Sequence, residues 1–441
     1  MPVPLLNRAT KCLLYGLAFL PLRAMPPAHP GIPGVDRYTF KLAIDPTQGL
    51  LRAQGEIQFH LAPQQTKVQF LLAAGLAVSA VTGPQVATFV QTTGAPKSDT
   101  LTITLRQPLA AAGVLRVRVA YGGRVQTTQL PQGIDFFQPA WTELTDRTGL
   151  VPAPCEAPLQ RRGRYTFSLQ VPPAYAVVGS EQVRRTSPGN WTLKTPPTSH
   201  FALYIAPTFY TAPASTARVA RVQVLQTSVP DTLTRRLGAL ATRAALFYNT
   251  LYGGVKPLHQ LRLVVPPTRA ILPGQTWSYA VPGGKAETLV RVEPGAMGED
   301  TFYIIGHEVA HHWWHYAAYP NANFQSYLNE GFAEYACLCF YRAEYGEAAF
   351  TRLLARYRTI AERLPPVPQM GPDLPVKARN QFTYIKTAYT LYLLEARLGR
   401  PGMRQLLRQT LQQPPTSHDA WLAQLERSAG RPARQFFEAI F

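Results

Sequence analysis

Residues 307–311 read His307-Glu308-Val309-Ala310-His311. On an α-helix, positions i and i+4 share one face a turn apart, so both imidazoles can converge on one divalent metal ion. Glu308 follows the first histidine and projects toward the open side of such an ion. A carboxylate there can take a proton from water whose pKa the metal has lowered. The flanks are mostly apolar, with Phe302, Ile305, Val309, Ala310, Trp313 and Trp314 among them. The helix is therefore expected to be buried on several sides. Burying two histidines and a glutamate without partners is costly, and a metal removes that cost. A catalytic zinc takes three protein ligands and keeps a fourth position open. The third ligand is expected from Glu330, after eighteen intervening residues, in Leu328-Asn329-Glu330-Gly331-Phe332-Ala333. A helix–loop–helix hairpin would bring it beside the histidine pair. His312 and His315 stand at the wrong helical angles to join that face and are expected to be structural or rim residues.

Two different regions must position these side chains. The first half reads as β-structure, with alternating segments at Tyr38–Asp45, Gly55–Leu61, Val68–Leu72, Thr100–Leu105, Val114–Tyr121, Arg164–Val171 and Phe201–Ile205. Their spacing and their Gly/Pro/Thr-rich joins fit an antiparallel β-sandwich-like domain over residues 36–206. After about residue 207 the character changes. Asp231–Tyr252 has helical spacing, Gln260–Val265 and Glu287–Val292 are strand-like, and Leu289–Val292 reads as an edge strand. From Glu299 the pattern is helical: 299–316, 324–345, 347–363, 383–398, 402–412, 417–428 and a last helix to Phe441. Strands first and helices second predict an α+β chain with a mainly helical second domain over residues 207–441.

The chain has 441 residues, 46% hydrophobic, with 44 Lys+Arg against 25 Asp+Glu for a net charge of +19. The basic residues are scattered, in short groups such as Arg161-Arg162-Gly163-Arg164 and Arg235-Arg236. No long basic run with interleaved aromatics is present, so a generally basic surface is expected and not a nucleic-acid site. The cysteines are Cys12, Cys155, Cys337 and Cys339. Cys12 falls in an expected export signal (residues 1–24), where Arg8 and Lys11 precede an apolar stretch to Leu22. The odd number left implies no disulfide framework. No other run is long enough to cross a membrane, so an exported protein, periplasmic or extracellular and soluble after signal removal, is expected.

His-Glu-x-x-His followed by Glu330 within Asn-Glu-Gly-Phe-Ala resembles the gluzincin family of aminopeptidase N and leukotriene hydrolase. The strands from Tyr38 to about Leu61 are similar to that family's opening β-domain, and Trp313-Trp314 to its aromatics after the second histidine. Tyr384-Ile385-Lys386-Thr387 looks like its Tyr-x-Lys-Gly element, and the stretch from Thr416 to Phe441 like the end of its thermolysin-like catalytic domain. The resemblance covers roughly residues 36–441. It implies one zinc ion per chain held by His307, His311 and Glu330, with Glu308 as base. It also implies Tyr384 as the hydroxyl that stabilises the oxyanion, and a peptide substrate.

The family's aminopeptidases carry Gly-x-Met-Glu-Asn on a strand before the zinc helix, and its glutamate binds the substrate's free α-amino group. Gly284-Lys285-Ala286-Glu287-Thr288 keeps the glycine and the glutamate, which makes Glu287 the candidate anchor. Gly295-Ala296-Met297-Gly298-Glu299 is closer in letters but is expected to cap the zinc helix. A third register puts Ala280 at the glutamate position and leaves no anchor. Pro154-Cys155-Glu156-Ala157-Pro158 is similar to the family's Cys-x-Asp-Glu-Pro region without its acidic pair. The chain is expected to lack the family's C-terminal helical domain, which would leave a more open cleft. Three activities follow as expectations: an aminopeptidase, a zinc endopeptidase on the same scaffold, or a non-catalytic peptide-binding relative.

Overall fold

The computed structural model describes residues 35–93, 98–108, 113–125, 137–146, 148–155, 163–180, 182–198, 200–215, 220–267, 279–282, 287–292, 299–315, 327–365, 375–415 and 417–441. The expected export signal, Gly284–Ala286, Gly295–Gly298 and Glu156–Pro158 lie outside them.

The first strands are β1 (Asp36–Asp45), β2 (Leu50–Leu61), β3 (Lys67–Ala73), β4 (Leu76–Thr82), β5 (Val86–Thr93), β6 (Ser98–Leu105) and β7 (Gly113–Arg124). Then come β8 (Phe137–Gln138), β9 (Trp141–Thr145), β10 (Ala153–Pro154), β11 (Gly163–Gln170), β12 (Ala176–Gly179), β13 (Gln182–Ser187), β14 (Asn190–Lys194) and β15 (Ala202–Ala206). They form a seven-stranded sheet, β13-β14-β11-β1-β2-β7-β4, and two four-stranded sheets, β10-β3-β6-β5 and β12-β15-β9-β8. Strand alternation drives one face of each sheet inward. In β1 it buries Tyr38, Phe40, Leu42 and Ile44, which join Ile57, Phe59, Phe70, Ile103, Val117 and Phe167 in one core. The expected antiparallel pairing holds except between β1 and β11, which run parallel.

The second region opens on β16 (Tyr210–Ser215), β17 (Arg221–Gln226) and the helix α1 (Thr232–Tyr252), followed by β18 (Gln260–Val265), β19 (Tyr279–Pro282) and β20 (Glu287–Arg291). Asp231 caps α1, its carboxylate accepting from the Thr234 N–H at 2.9 Å. The sheet order is β16-β17-β18-β20-β19, with β17, β18 and β20 parallel and both edges antiparallel. The expectation that Leu289–Val292 forms the edge is corrected: β20 lies inside and β19 is the edge. Pro282 explains the order, since a residue without an N–H is tolerated at an edge and not between two strands.

The remaining helices are α2 (Glu299–Ala310), α3 (Tyr327–Ala361), α4 (Val376–Asn380), α5 (Thr387–Gln412), α6 (His418–Ala429) and α7 (Arg431–Ile440), with a π-helical turn over Gln381–Lys386. The sequence pattern broke one helix at residue 346. There α3 kinks at Gly346, whose φ of +79° suits a residue without a Cβ. Phe302, Ile305, Val309 and Ala310 of α2 are buried between α1, α3 and the sheet in a second core.

One buried pair joins the two regions. Arg291 of β20 donates to Glu143 of β9 at 2.8 Å, and Glu143 also accepts from Trp141 Nε1 at 2.8 Å. Both charges are fully buried. Removing either partner alone is the kind of change that destabilises by about 3–5 kcal/mol.

Candidate metal centre and its surroundings

α2 ends at Ala310, so His307 sits in its last turn and His311 just past its end. The expected helix over 299–316 stops early because the chain tightens: His312 N–H donates to Val309 O at 3.1 Å, and Trp313 and Trp314 N–H both donate to Ala310 O at 3.0 Å. His307 and His311 remain one turn apart. Glu330 lies in the first turn of α3.

These three residues come together. His307 Nε2 is 3.1 Å from His311 Nε2 and 3.1 Å from Glu330 Oε2, and His311 Nε2 is 3.2 Å from Glu330 Oε2. Ligand atoms about 2.0–2.1 Å from a tetrahedral ion stand about 3.3 Å from one another. The observed triangle is close to one face of such a tetrahedron, and its two imidazoles and one carboxylate are donors that suit zinc. Among the described residues this is the only group of three His, Cys, Asp or Glu side chains so arranged.

The outer nitrogens are also occupied. His307 Nδ1 is 2.8 Å from Glu334 Oε2, and His311 Nδ1 is 2.9 Å from the Trp314 carbonyl. Carboxylate and carbonyl oxygens accept, so each Nδ1 donates outward and each Nε2 is the ring nitrogen aimed at the centre of the cluster, where a bound cation would take the place of its proton. Glu334 accepts in turn from the Tyr357 hydroxyl. Neither Glu334 nor Tyr357 has a role in the pattern read from the sequence. Glu334 was within its reach: it falls four residues after Glu330, on the same face of α3.

Electrostatics reinforce the arrangement. Burial pulls the His307 imidazole down, but its hydrogen bonds to Glu330 and Glu334 outweigh it and hold its pKa well above the ordinary value. Burial likewise opposes, and Glu330 raises, that of His311. Burial pushes the Glu330 carboxyl up, yet the charge on His311 and the hydrogen bond from His307 hold it well below the usual range. The cluster thus favours positive charge beside its carboxylates, which a divalent cation supplies.

Glu308 is half-buried, one residue from His307, and its charge bears on both His311 and Tyr384. Tyr384 arrives on the π-helical turn, its ring centroid 5.6 Å from that of His307. Burial, with Glu330 and Glu308 adding, raises its phenol pKa well above the ordinary value, so the hydroxyl stays protonated. Gly331 lets α3 approach this turn. A Cβ there would lie 2.3 Å from Thr387 Cγ2 and 2.7 Å from Thr383 O. π-helical turns recur at functional sites because they re-aim a side chain within a helix.

The neighbouring histidines differ. His312 is buried with both ring nitrogens engaged, by Thr288 Oγ1 at 2.8 Å and the Pro257 carbonyl at 3.2 Å. Burial, then the charge of Lys256, holds its pKa well below the ordinary value. His315 stacks edge-on to His200, centroids 5.1 Å apart, and His200 is paired with Asp146 at 2.8 Å. Both fit structural or rim places. Glu287 opens β20, with its carboxylate 3.8 Å from Arg262. The next residue, Thr288, meets His312, so strand alternation turns Glu287 to the opposite face of the sheet.

Solved structures share this fold. An M1 zinc metallopeptidase from Deinococcus radiodurans matches with a TM-score of 0.62 at 19% identity, covering 92% of this chain and 93% of its own. A mutant M1 zinc metallopeptidase from the same organism, bound to a Tyr-Ser-Ala substrate, matches at 0.61 and 20% identity over the same shares, 92% and 93%. A two-domain M1 zinc metallopeptidase mutant bound to L-arginine matches at 0.60 and 20%, again over 92% and 93%. No protein-family model and no curated protein matches the chain. At this identity the likeness is one of fold, and function must be argued from the site.

Proposed function

We propose that this chain is a zinc-dependent peptidase, and more narrowly an aminopeptidase that releases N-terminal residues. One observation carries the first part: two imidazole nitrogens and a carboxylate oxygen converge while both outer imidazole nitrogens are held by acceptors. The Tyr-Ser-Ala and amino-acid ligands of the matching structures support peptides as the substrate class.

His307, His311 and Glu330 would hold the ion, which when bound supplies the Lewis acidity that polarises a scissile carbonyl and acidifies a water. Glu308 takes the proton of the attacking water at its carboxylate and returns it to the leaving amine. The protonated Tyr384 hydroxyl donates to the oxygen on which negative charge develops, a contact made in the transition state and not in the ground state. Glu334 and the Trp314 carbonyl hold the two imidazoles in the tautomer that presents Nε2.

The sequence makes Glu287 the candidate anchor for the free α-amino group, but its place on the face of β20 opposite His312 does not support that role. The endopeptidase alternative draws on two observations: the Glu287 carboxylate is engaged by Arg262, and the edge strand β19 carries Ala280 where a third register leaves no anchor. A fluorogenic peptide with a free N-terminus, and its N-acetylated twin, separate the two. Cleavage of the free form alone, lost in zinc-stripped protein and in Glu308→Gln, is expected of the aminopeptidase. Equal cleavage of both forms would remove the anchor and leave an endopeptidase. Zinc bound at one per chain with neither peptide cleaved would point to a peptide-binding relative.

A further inference from the structure

The sequence scatters its arginines, but the fold gathers some of them. Arg37 of β1 lies directly beside Arg164 of the parallel β11. On its other side Arg37 pairs with Gln58 of β2, and Gln58 pairs with Arg116 of β7. Adjacent strands are about 4.8 Å apart, so these three arginines spring from one lateral row about 14 Å long. All three are exposed. Together with Gln58 and His60 they line one concavity of about 380 Å³ on the outer face of the seven-stranded sheet.

The nearby carboxylates are committed elsewhere. Asp36 is buried and holds His60, accepting from its N–H at 2.9 Å and meeting its Nδ1 at 3.1 Å. Glu56 is 3.6 Å from Arg118 and accepts from the Gln58 amide at 3.1 Å. Among the described residues, Arg37, Arg116 and Arg164 take part in no ion pair, whereas Arg118 beside them does. Like charges directly opposite one another destabilise a sheet. A row of like charges around a concavity is the arrangement in which a bound anion turns repulsion into attraction.

We propose that this recess is a binding site for a small soluble phosphate-type dianion. The planar guanidinium fork matches tetrahedral oxyanions with paired N–H donors, and three forks at strand spacing can surround one. The site is separate from the metal centre, and none of its residues belongs to the peptidase machinery proposed above, so the two proposals can fail independently.

The test is calorimetric titration of the full chain with inorganic phosphate at constant ionic strength, alongside Arg37→Gln/Arg164→Gln and an Arg118→Gln control. Saturable one-to-one binding is expected, weakened at least about tenfold in the double variant and less than about twofold in the control. In phosphate-free buffer the double variant should unfold at or above the wild-type temperature, because it loses a repulsion. Absence of saturable binding to the wild type, or equal weakening by Arg118→Gln, would overturn the proposal. A lower unfolding temperature of the double variant without phosphate would overturn it too, since the arginines would then serve the fold. Capture by phosphatidylglycerol vesicles through these arginines, with no binding of free phosphate, would also overturn it, in favour of a membrane surface.

Discussion

Replacing Glu334 by Gln should weaken zinc binding by about tenfold while the fold stays in place. The carboxylate is not itself one of the proposed ligands. It acts through His307, whose Nδ1 lies 2.8 Å from Glu334 Oε2. An amide of the same shape can still accept from that N–H, but the bond is no longer charge-assisted. Hydrogen bonds to charged groups contribute about 1.5–3 kcal/mol and neutral ones about 0.5–1.5. The difference is about 1–1.5 kcal/mol, close to tenfold in a binding constant. This agrees with the roughly 10–100-fold effects typical of groups that orient a metal ligand from behind. Tyr357→Phe removes the donor on the other carboxylate oxygen but leaves the charge, so it should weaken binding less. Competition for zinc against a chromophoric chelator at fixed pH measures both. Wild-type affinity in Glu334→Gln, with its unfolding transition also unchanged, would refute the view that this carboxylate sets the imidazole.

Tyr384→Phe should lower kcat by about 10²–10³-fold and leave KM near wild type, because the hydroxyl is assigned a contact made only in the transition state. Steady-state kinetics on one peptide separate the two constants. Gly331→Ala places a Cβ 2.3 Å from Thr387 Cγ2, which forces α3 off the π-helical turn. A loss of about 1–3 kcal/mol in urea unfolding is expected, with activity falling further as Tyr384 shifts. Burial lowers the Lys256 pKa from 10.5 to about 8. Between those values the unfolded chain binds more protons than the folded one, so this group makes stability rise with pH across that window, by up to about 3 kcal/mol. Lys256→Met should flatten the rise when the two proteins are unfolded in urea at pH 8, 9 and 10.

The parts of the site that local spacing fixes were legible in the sequence. His307 and His311 converge because helical periodicity dictates it, and the break at Gly346 follows from the glycine itself. Contacts between distant segments were less so. Alternation in β1 and β11 tells which residues face inward but not which strand lies beside which, so their parallel pairing could not be read. The same limit hid the row of Arg37, Arg116 and Arg164, far apart in the chain. The π-helical turn at Gln381–Lys386 keeps an apolar pattern that passes for ordinary helix over 383–398. The place of Leu289–Val292 was misjudged because the pairing of Tyr279–Pro282 beside it is a tertiary fact, although Pro282 was a clue to the edge.

Adjacent histidines in this chain show what distinguishes a ligand from a structural residue. His311 and His312 are neighbours, and both are buried. His312 spends both ring nitrogens on Thr288 and Pro257 and is held neutral by burial and Lys256. His311 spends one nitrogen on the Trp314 carbonyl, and its other meets His307 and Glu330. The carboxylates of Glu330 and Glu334 then reverse the effect of burial on His307. Two imidazoles aimed at one point and backed by acceptors make a poor hydrogen-bonding network among themselves, since each Nε2 faces another. A cation at that point resolves the conflict for every member at once. Glu308 and Tyr384 stand beside the cluster without being among its three converging ligand atoms, and that placement favours the peptidase reading proposed above over a purely structural metal.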